Sequence, residues 1–104
     1  LLGGADDDIL VGGTLSYGND STFDLVALDA LMAEWSRADL DYGKRMANLR
    51  NGTGLNGIYR LTSATAPADN VADTLTGAGG IDWFWTSAAD SLTDQGNGGA
   101  ETRN

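Results

Sequence analysis

Two nine-residue stretches of the chain, 74 positions apart, follow one pattern of residue types. Residues 3–11 read Gly-Gly-Ala-Asp-Asp-Asp-Ile-Leu-Val, and residues 77–85 read Gly-Ala-Gly-Gly-Ile-Asp-Trp-Phe-Trp. Each stretch opens on glycine, has aspartate at its sixth position and ends in three apolar residues. Glycine permits a tight turn, and a short apolar run after a turn is typical of a strand. Turns that alternate with such strands predict a coiled β-structure in which equivalent positions stack.

Two shorter stretches carry part of the same pattern. Residues 73–76, Asp-Thr-Leu-Thr, keep the aspartate and place an apolar residue two positions after it, and residues 91–93, Ser-Leu-Thr, form another strand-like run. In the two nonapeptides the eighth residue, Leu10 or Phe84, is expected to point into the coil, because side chains alternate along a strand. The strands are therefore predicted to enclose a thin apolar core.

The middle of the chain has a helical pattern instead. Between residues 23 and 35 apolar residues recur every third or fourth position, which predicts an amphipathic helix. The residues of this stripe are Leu25, Leu28, Leu31, Met32 and Trp35. A second helix is predicted from Arg37 to Arg50, capped by Ser36 and stopped by Asn51-Gly52. Residues 58–65 are predicted to form a strand.

The composition limits the possible partners. Fifteen Asp and Glu against six Lys and Arg give a net charge of −9, and most of the excess acid lies in the two glycine-rich ends. Nucleic acid and anionic membrane surfaces are disfavoured, because both are bound through a surplus of Lys and Arg. No apolar run approaches the ~20 residues of a membrane span. With no Cys and no His, the remaining ligands are oxygens, which suit a hard cation such as calcium.

The nonapeptides resemble the repeats-in-toxin (hemolysin-type) calcium-binding repeats of secreted bacterial proteins, whose pattern is G-G-x-G-x-D-x-U-x, with U a large apolar residue. In that family the chain winds as a parallel β-roll with two nonapeptides per coil. Calcium lies between stacked turns, bound by turn carbonyls and the sixth-position aspartate. The resemblance implies these ligands here: the carboxylates of Asp8 and Asp82 and carbonyls near Gly3, Ala5, Gly77 and Gly79.

Asp6 is a further candidate ligand. It occupies the fourth position, where the family usually has glycine, and Ala78 replaces the second glycine of the later nonapeptide. For Asp6 the preferred interpretation is a solvated acid that raises the local negative potential, with metal binding as the alternative. The departures leave two complete nonapeptides, too few for a long roll.

The predicted fold class is α+β: a short parallel β-roll, or solenoid-like sheet, with a two-helix insertion packed against it. Residues 1–104 are interpreted as one domain. Within it, residues 1–13 and 69–95 are roll-like segments, residues 14–68 are the helical insertion with its strand, and residues 96–104 are a tail. Because the pattern is already running at residues 1–4, the chain is expected to be part of a longer protein.

The insertion has a geometric consequence. If the chain leaves the roll after residue 13 and returns near residue 73, strand 9–11 is predicted to lie beside strand 73–76. The turn at residues 77–82 then stacks on the turn at residues 3–8. This stacking brings Asp8 and Asp82 to one cation, since two carboxylates that close repel each other without one.

The sequence therefore predicts a calcium-binding structural module of a secreted or cell-surface bacterial protein, stabilised by Ca²⁺ when it folds. An enzyme is not expected, because the chain has no His, Cys or nucleophile motif. One alternative is an adhesive or ligand-binding domain with calcium as scaffold, in which Trp83 or Trp85 forms an exposed platform for a protein or glycan. Burial of these two side chains in a core is preferred. The other alternative is a structural α+β domain without a metal.

Overall fold

The computed structural model describes residues 1–17, 22–95 and 101–104. That part of the chain forms an α+β fold with two helices and two small parallel sheets, as predicted at this coarser level. The elements are β1 (Leu2–Gly4), β2 (Ile9–Val11), α1 (Thr22–Trp35), α2 (Tyr42–Asn51), β3 (Thr74–Ala78), β4 (Trp83–Trp85), β5 (Ser91–Leu92) and β6 (Thr102–Arg103). The chain divides into two compact units: a strand unit, residues 1–14 and 66–104, and a helical unit, residues 15–65.

The strand unit is built from three similar pieces of chain. We call them the first segment (residues 2–11), the second segment (residues 74–85) and the third segment (residues 91–95 and 101–103). Each contributes one strand to each sheet, so that the strand orders are β1-β3-β5 and β2-β4-β6, with all neighbours parallel. Every paired residue of the first segment lies opposite the residue 74 positions later.

One predicted strand pairing is wrong. Strand 9–11 does not pair with residues 73–76; it pairs with β4, and β3 pairs with β1. The reason is that the chain crosses from one sheet to the other inside each segment, so that strands before the turn pair together and strands after it pair together. The predicted stacking of turn 77–82 on turn 3–8 is confirmed, because both flanking strand pairs are in register.

The predicted inward positions form one core cluster of the strand unit. Leu10, Leu75 and Phe84 form one buried cluster, and the half-buried Leu92 packs against it. Fully burying a side chain of this size contributes about 1.5–3 kcal/mol relative to leaving it exposed. The inward direction predicted for the eighth residue of each nonapeptide is therefore confirmed.

The helical unit buries a different face of α1 from the one predicted. Leu31 and Trp35 are buried as expected, but Leu25 and Met32 are 57% and 53% exposed. Among residues 24–35, the part of this helix whose side chains are described, the buried positions are Ala27, Leu31, Glu34 and Trp35. These positions keep the helical spacing. The buried face is rotated relative to the predicted one because it includes an acidic residue, and a search for apolar residues alone leaves acidic positions out. Neither this helix nor any other in the described residues is long and apolar enough to cross a membrane.

Helix α2 begins five residues later than predicted, at Tyr42. Its N-cap is Asp41, whose side chain accepts the backbone N–H of Lys44 at 2.8 Å. Serine and aspartate are both good N-caps, but the hydroxyl of the predicted cap Ser36 donates to Met32 O of α1 at 2.7 Å instead. The predicted stop is confirmed: Gly52 has φ +69°, a conformation that favours glycine, and its N–H donates to Asn48 O at 2.8 Å.

Two further predictions about the chain are wrong. Residues 58–65 form turns and irregular backbone instead of a strand, and Ile58 is 85% exposed. The hydroxyl of Thr65 accepts the N–H of Thr62 and donates to Arg60 O, and such local bonds compete with a sheet ladder. At the end of the chain, residues 101–104 are not a frayed tail, because β6 pairs with β4. The rest of that predicted tail, residues 96–100, lies outside the described residues.

Candidate functional site

Asp8 and Asp82 come together where the first and second segments stack. The backbone N–H of Asp8 donates to Asp82 Oδ1 at 2.9 Å. Each aspartate follows its turn and immediately precedes a strand, and those strands, β2 and β4, are paired in register. The prediction that these two residues lie close together is therefore confirmed, and their binding of one shared cation stays a prediction.

Each aspartate folds back over the glycine five positions before it. A Cβ added at Gly77 would overlap the carboxylate of Asp82, and one added at Gly3 would lie 2.7 Å from Asp8 Oδ2. A side chain at either glycine would displace the carboxylate. The first and sixth positions of the nonapeptide are therefore linked by close packing as well as by turn geometry.

The other predicted ligands lie at the same two turns. A Cβ at Gly3 would be 2.6 Å from Gly77 O, and one at Gly79 would be 3.2 Å from Ala5 O, so these carbonyls face the neighbouring turn. The N–H of Gly79 donates to Gly4 O at 2.8 Å and holds the turns together.

Asp6 differs from the other predicted ligands. Its side chain is exposed, while its backbone carbonyl lies against Gly80. No described contact brings the Asp6 carboxylate to the buried Asp82. Its influence is electrostatic, because its charge contributes to the raised pKa of Asp8.

The aspartate pair is electrostatically unfavourable when both members are ionised. Burial raises the pKa of Asp82 to about 6; the N–H of Asp8 opposes this rise, and the charges of Glu101 and Asp8 add to it. Burial also raises the pKa of Asp8, with the charges of Asp6 and Asp7 adding. A carboxylate with a raised pKa favours a proton or a cation beside it.

Glu101 is a member of this site that the sequence interpretation missed. Thr102 pairs with Trp83, so the residues before them, Glu101 and Asp82, are neighbours across the strands, and their side chains are in hydrogen-bonding contact. The signal was present: residues 96–104 read Gly-Asn-Gly-Gly-Ala-Glu-Thr-Arg-Asn, the glycine pattern with glutamate at the sixth position. It was overlooked because glutamate replaces aspartate and Arg103 replaces the apolar eighth residue.

Other acidic side chains join the segments without an ion. Asp90 Oδ1 accepts the N–H of Asp73 at 2.9 Å, and the two oxygens of Asp94 accept the N–H groups of Gly77 and Ala78 at 2.9 and 2.6 Å. In each case a carboxylate in the third segment, or directly before it, accepts a backbone N–H in the second segment, or directly before it. Hydrogen bonds to a charged acceptor contribute about 1.5–3 kcal/mol each.

The fit of this site to calcium is partial. Calcium takes six to eight oxygen ligands, and within the described residues no group of three or more His, Cys, Asp or Glu side chains is arranged to hold a metal ion. On the other side, Asp8 Oδ2 is buried and has no hydrogen-bond partner in the part of the chain that the structure describes. Two carboxylates with turn carbonyls would leave part of a calcium shell to water.

The side-chain metal ligands available near the aspartate pair are oxygens, because the chain has no Cys or His.

Comparisons with protein-family models, with curated proteins and with solved structures find no match to this chain. The resemblance of the nonapeptides to the repeats-in-toxin family therefore stays a prediction.

Proposed function

We propose that this chain is a calcium-binding structural module of a secreted or cell-surface protein, a short parallel β-roll stabilised by Ca²⁺, and not an enzyme. The observation that carries the proposal is the convergence of Asp8 and Asp82 at two stacked, glycine-led turns. Their carboxylates would bind the ion together with carbonyls near Gly3, Ala5, Gly77 and Gly79.

The β-roll interpretation is supported by the path of the strands. The chain alternates between two parallel sheets, and each segment adds one strand to each sheet. The apolar residue after each aspartate, such as Leu10 after Asp8 and Phe84 after Asp82, points to the shared core. A repeat that buries its apolar face only by stacking on its neighbours is the basis of solenoid architectures.

The energetic role of the ion follows from the charges. Without a cation, the carboxyl groups of the buried Asp82 and the neighbouring Asp8 either take up a proton or remain ionised and repel each other. A divalent cation would neutralise both carboxylates while leaving the turn packing in place. Because the ion binds the folded state, it would stabilise the fold by mass action.

A calcium titration followed by circular dichroism and thermal unfolding tests the proposal. At pH 7.5, calcium at about 100 times its Kd should stabilise the strand unit by about 2.7 kcal/mol, relative to excess chelator. For a unit of this size the melting temperature should rise by roughly 10–20 °C. Affinity should be weak, ~10⁻⁴ to 10⁻³ M, as in extracellular modules. Magnesium at equal ionic strength is the control for simple screening, and an identical melt in chelator and calcium would contradict the proposal.

Substitutions identify the ligands. Asp8→Asn and Asp82→Asn should each weaken calcium binding, and the double variant should not be additive, because the two side chains share one ion. Asp69→Asn is the matched control: Asp69 is an exposed acid of the strand unit whose side chain accepts the N–H of Val71, a bond that asparagine can keep. Equal calcium affinity in all four variants would exclude this pair as ligands.

A structural domain without a metal is the second candidate function. It is favoured by the carboxylates of Asp90 and Asp94, which already join the segments through backbone N–H groups. The same titration separates the two candidates. The adhesive alternative lacks its platform, because Trp83 and Trp85 are 0% and 6% exposed.

A further inference from the structure

The helical unit contains two Asn-Gly pairs close together in sequence. Asn51 is the last residue of α2 and precedes Gly52, and Asn56 lies in the following loop and precedes Gly57. Glycine has no Cβ to shield its backbone nitrogen, so that nitrogen can attack the side-chain amide carbon of the asparagine before it. Both pairs therefore have the local sequence that favours spontaneous deamidation, and their surroundings distinguish them.

The fold holds Asn56 in a conformation that prevents this attack. Asn56 is 1% exposed, and its Nδ2 donates to Asn48 O at 3.0 Å and also to Tyr59 O. The N–H of Gly57 donates to Gly54 O at 3.2 Å, so the attacking nitrogen is engaged as well. The Asn56 amide must lose these hydrogen bonds before it can turn toward Gly57, and its burial excludes the water that completes the reaction.

Asn51 is less protected. Its side chain is exposed, and it stands at the C-terminal end of α2, where the N–H of Gly52 donates to Asn48 O at 2.8 Å. Helix ends fray at a small cost in free energy, so local opening of the last turn frees this N–H without unfolding the unit. Asn51 is therefore expected to react in the folded chain.

The product of deamidation at Asn56 does not fit the folded structure. The reaction replaces Nδ2, which donates, by a carboxylate oxygen, which only accepts. That oxygen would face the carbonyls of Asn48 and Tyr59, and the buried Oδ1 of Asn56 has no hydrogen-bond partner in the described part of the chain. Burying a carboxylate without a donor is strongly unfavourable. An isoaspartate product also adds a methylene to the backbone of the turn in which the Tyr59 N–H donates to Asn56 O.

From these contacts we infer that Asn56-Gly57 is a concealed deamidation site, unreactive while the helical unit is folded and, once modified, preventing that unit from folding again. The Gly57 nitrogen loses its proton and bonds to Asn56 Cγ, the bond from Cγ to Nδ2 breaks, and ammonia leaves. Water then opens the cyclic imide at either of its carbonyls and gives aspartate or isoaspartate. Transient unfolding of the helices is thereby made permanent in a fraction of molecules that grows with time.

Mass spectrometry of the full chain tests the inference, with a control inside one peptide. Trypsin cleaves after Arg50 and Arg60, so both asparagines are recovered in residues 51–60, where fragmentation assigns the modification to one of them. After incubation at pH 8 without denaturant, Asn51 should react about tenfold faster than Asn56, or more. In urea that unfolds the chain the two rates should become similar, because both asparagines precede glycine.

Glu34→Ala gives a second measurement, since it weakens the helical unit without changing either Asn-Gly pair. The substitution should accelerate the reaction at Asn56 about tenfold or more, because the rate follows the population of the unfolded unit, and should accelerate the reaction at Asn51 less. Asp29→Ala, which removes an exposed acid from the same helix, is the matched control and should leave both rates unchanged.

The aspartate products can be made directly by substitution. Asn56→Asp should lose the helical circular dichroism signal at pH 7 or lower the urea midpoint strongly. Asn51→Asp should keep the signal with a slightly lower midpoint, since a carboxylate at the C-terminal end of a helix is unfavourable to the helix dipole. The two variants have the same charge, so the comparison isolates the burial of Asn56.

Equal rates at Asn51 and Asn56 in the folded chain would overturn the inference, and so would a rate at Asn56 that urea leaves unchanged. These kinetic results do not require any variant to fold. An Asn56→Asp chain that unfolds at the same urea concentration as Asn51→Asp would overturn the inferred block on refolding.

Discussion

At the scale of single residues, backbone conformation distinguishes the two nonapeptides. Ala78 has φ +71°, in the left-handed region, and it stands where the repeat pattern has its second glycine. The equivalent residue of the first segment is Gly4, with φ +140°. A Cβ is unfavourable in this region, at a cost of roughly 1–2 kcal/mol.

Ala78→Gly should therefore stabilise the strand unit by about 1 kcal/mol. The N–H of Ala78 that donates to Asp94 Oδ2 is kept in the variant. The measurement is urea unfolding followed by circular dichroism. Ala88→Gly is the control, an exposed alanine without positive φ, which should be neutral or slightly destabilised. A gain of equal size at both positions would contradict the conformational explanation.

The aspartates of the site were predicted from the sequence, whereas Glu101 was missed. Asp8 and Asp82 share a frame that includes glycine, aspartate and an inward apolar residue, so register alone brings them together. Residues 96–104 contain the glycines of this frame with Glu101 as the sixth residue, but their eighth residue is Arg103, where the frame has an apolar residue. A strand that pairs through its backbone needs no apolar residue, and this is why the pattern did not reveal it.

At the scale of elements, the buried carboxylate of Glu34 joins the two helices of the helical unit. One oxygen accepts the N–H of Leu55 at 2.7 Å and Arg37 Nη1 at 3.0 Å, and the other accepts Asn48 Nδ2 at 2.9 Å. Burial raises the pKa of Glu34, but these hydrogen bonds and the Arg37 charge outweigh it and hold the pKa below its usual value. The carboxylate links α1, α2 and the loop after α2.

Glu34→Ala should destabilise the helical unit by about 3 kcal/mol, because it leaves several buried donors without an acceptor. Urea unfolding at pH 7 gives the loss. Asp29→Ala on the same helix is the matched control: Asp29 is exposed, and the substitution should change the free energy of unfolding by less than about 0.5 kcal/mol. Similar losses for both variants would show that Glu34 contributes only helix propensity.

The limits of α1 were predicted well, whereas its buried face and the start of α2 were not. Apolar spacing defines a helix, but it cannot show that a charged residue such as Glu34 is buried, because the partners that make burial possible are distant in sequence. The start of α2 depended on a choice between two N-caps. The cap is Asp41. Arg37, the predicted first residue of α2, instead forms salt bridges with Asp39 and Glu34, and the periodicity of the sequence does not show these contacts.

At the scale of the whole molecule, the acidic groups have opposing effects on stability. The pKa of Asp82 is raised to about 6, so the folded state binds its proton more tightly than the unfolded state does. Its contribution to stability is present at low pH and is lost as pH rises through about 6. Glu34 and Asp90 have lowered pKa values, so their contributions are present above their usual pKa and are lost as pH falls.

In chelator, the stability of the chain should therefore pass through a maximum near pH 5 and decline toward pH 7. Asp82→Asn should remove most of that decline and stabilise the calcium-free chain at pH 7 by about 1–2 kcal/mol, since asparagine can still accept the Asp8 N–H. In saturating calcium the same substitution should be destabilising. Thermal unfolding at several pH values, with and without calcium, measures both signs. A variant that declines between pH 5 and 7 as steeply as the parent chain would rule out Asp82 as the cause.

The hydrogen bond from Ser16 N–H to Thr65 O, 2.7 Å long, has a consequence for how the chain folds. The first and second segments are 74 positions apart in sequence, and closing so long a loop is slow and entropically unfavourable. The helical unit between them contains α1 and α2, which pack on each other, and this bond joins its two ends. Once that unit is folded, residues 14 and 66 are brought near each other, and the remaining closure is that of a short turn. Folding of the helices therefore shortens the loop that must close between the first and second segments. A variant that weakens the helices, such as Glu34→Ala, should also slow the pairing of β1 with β3.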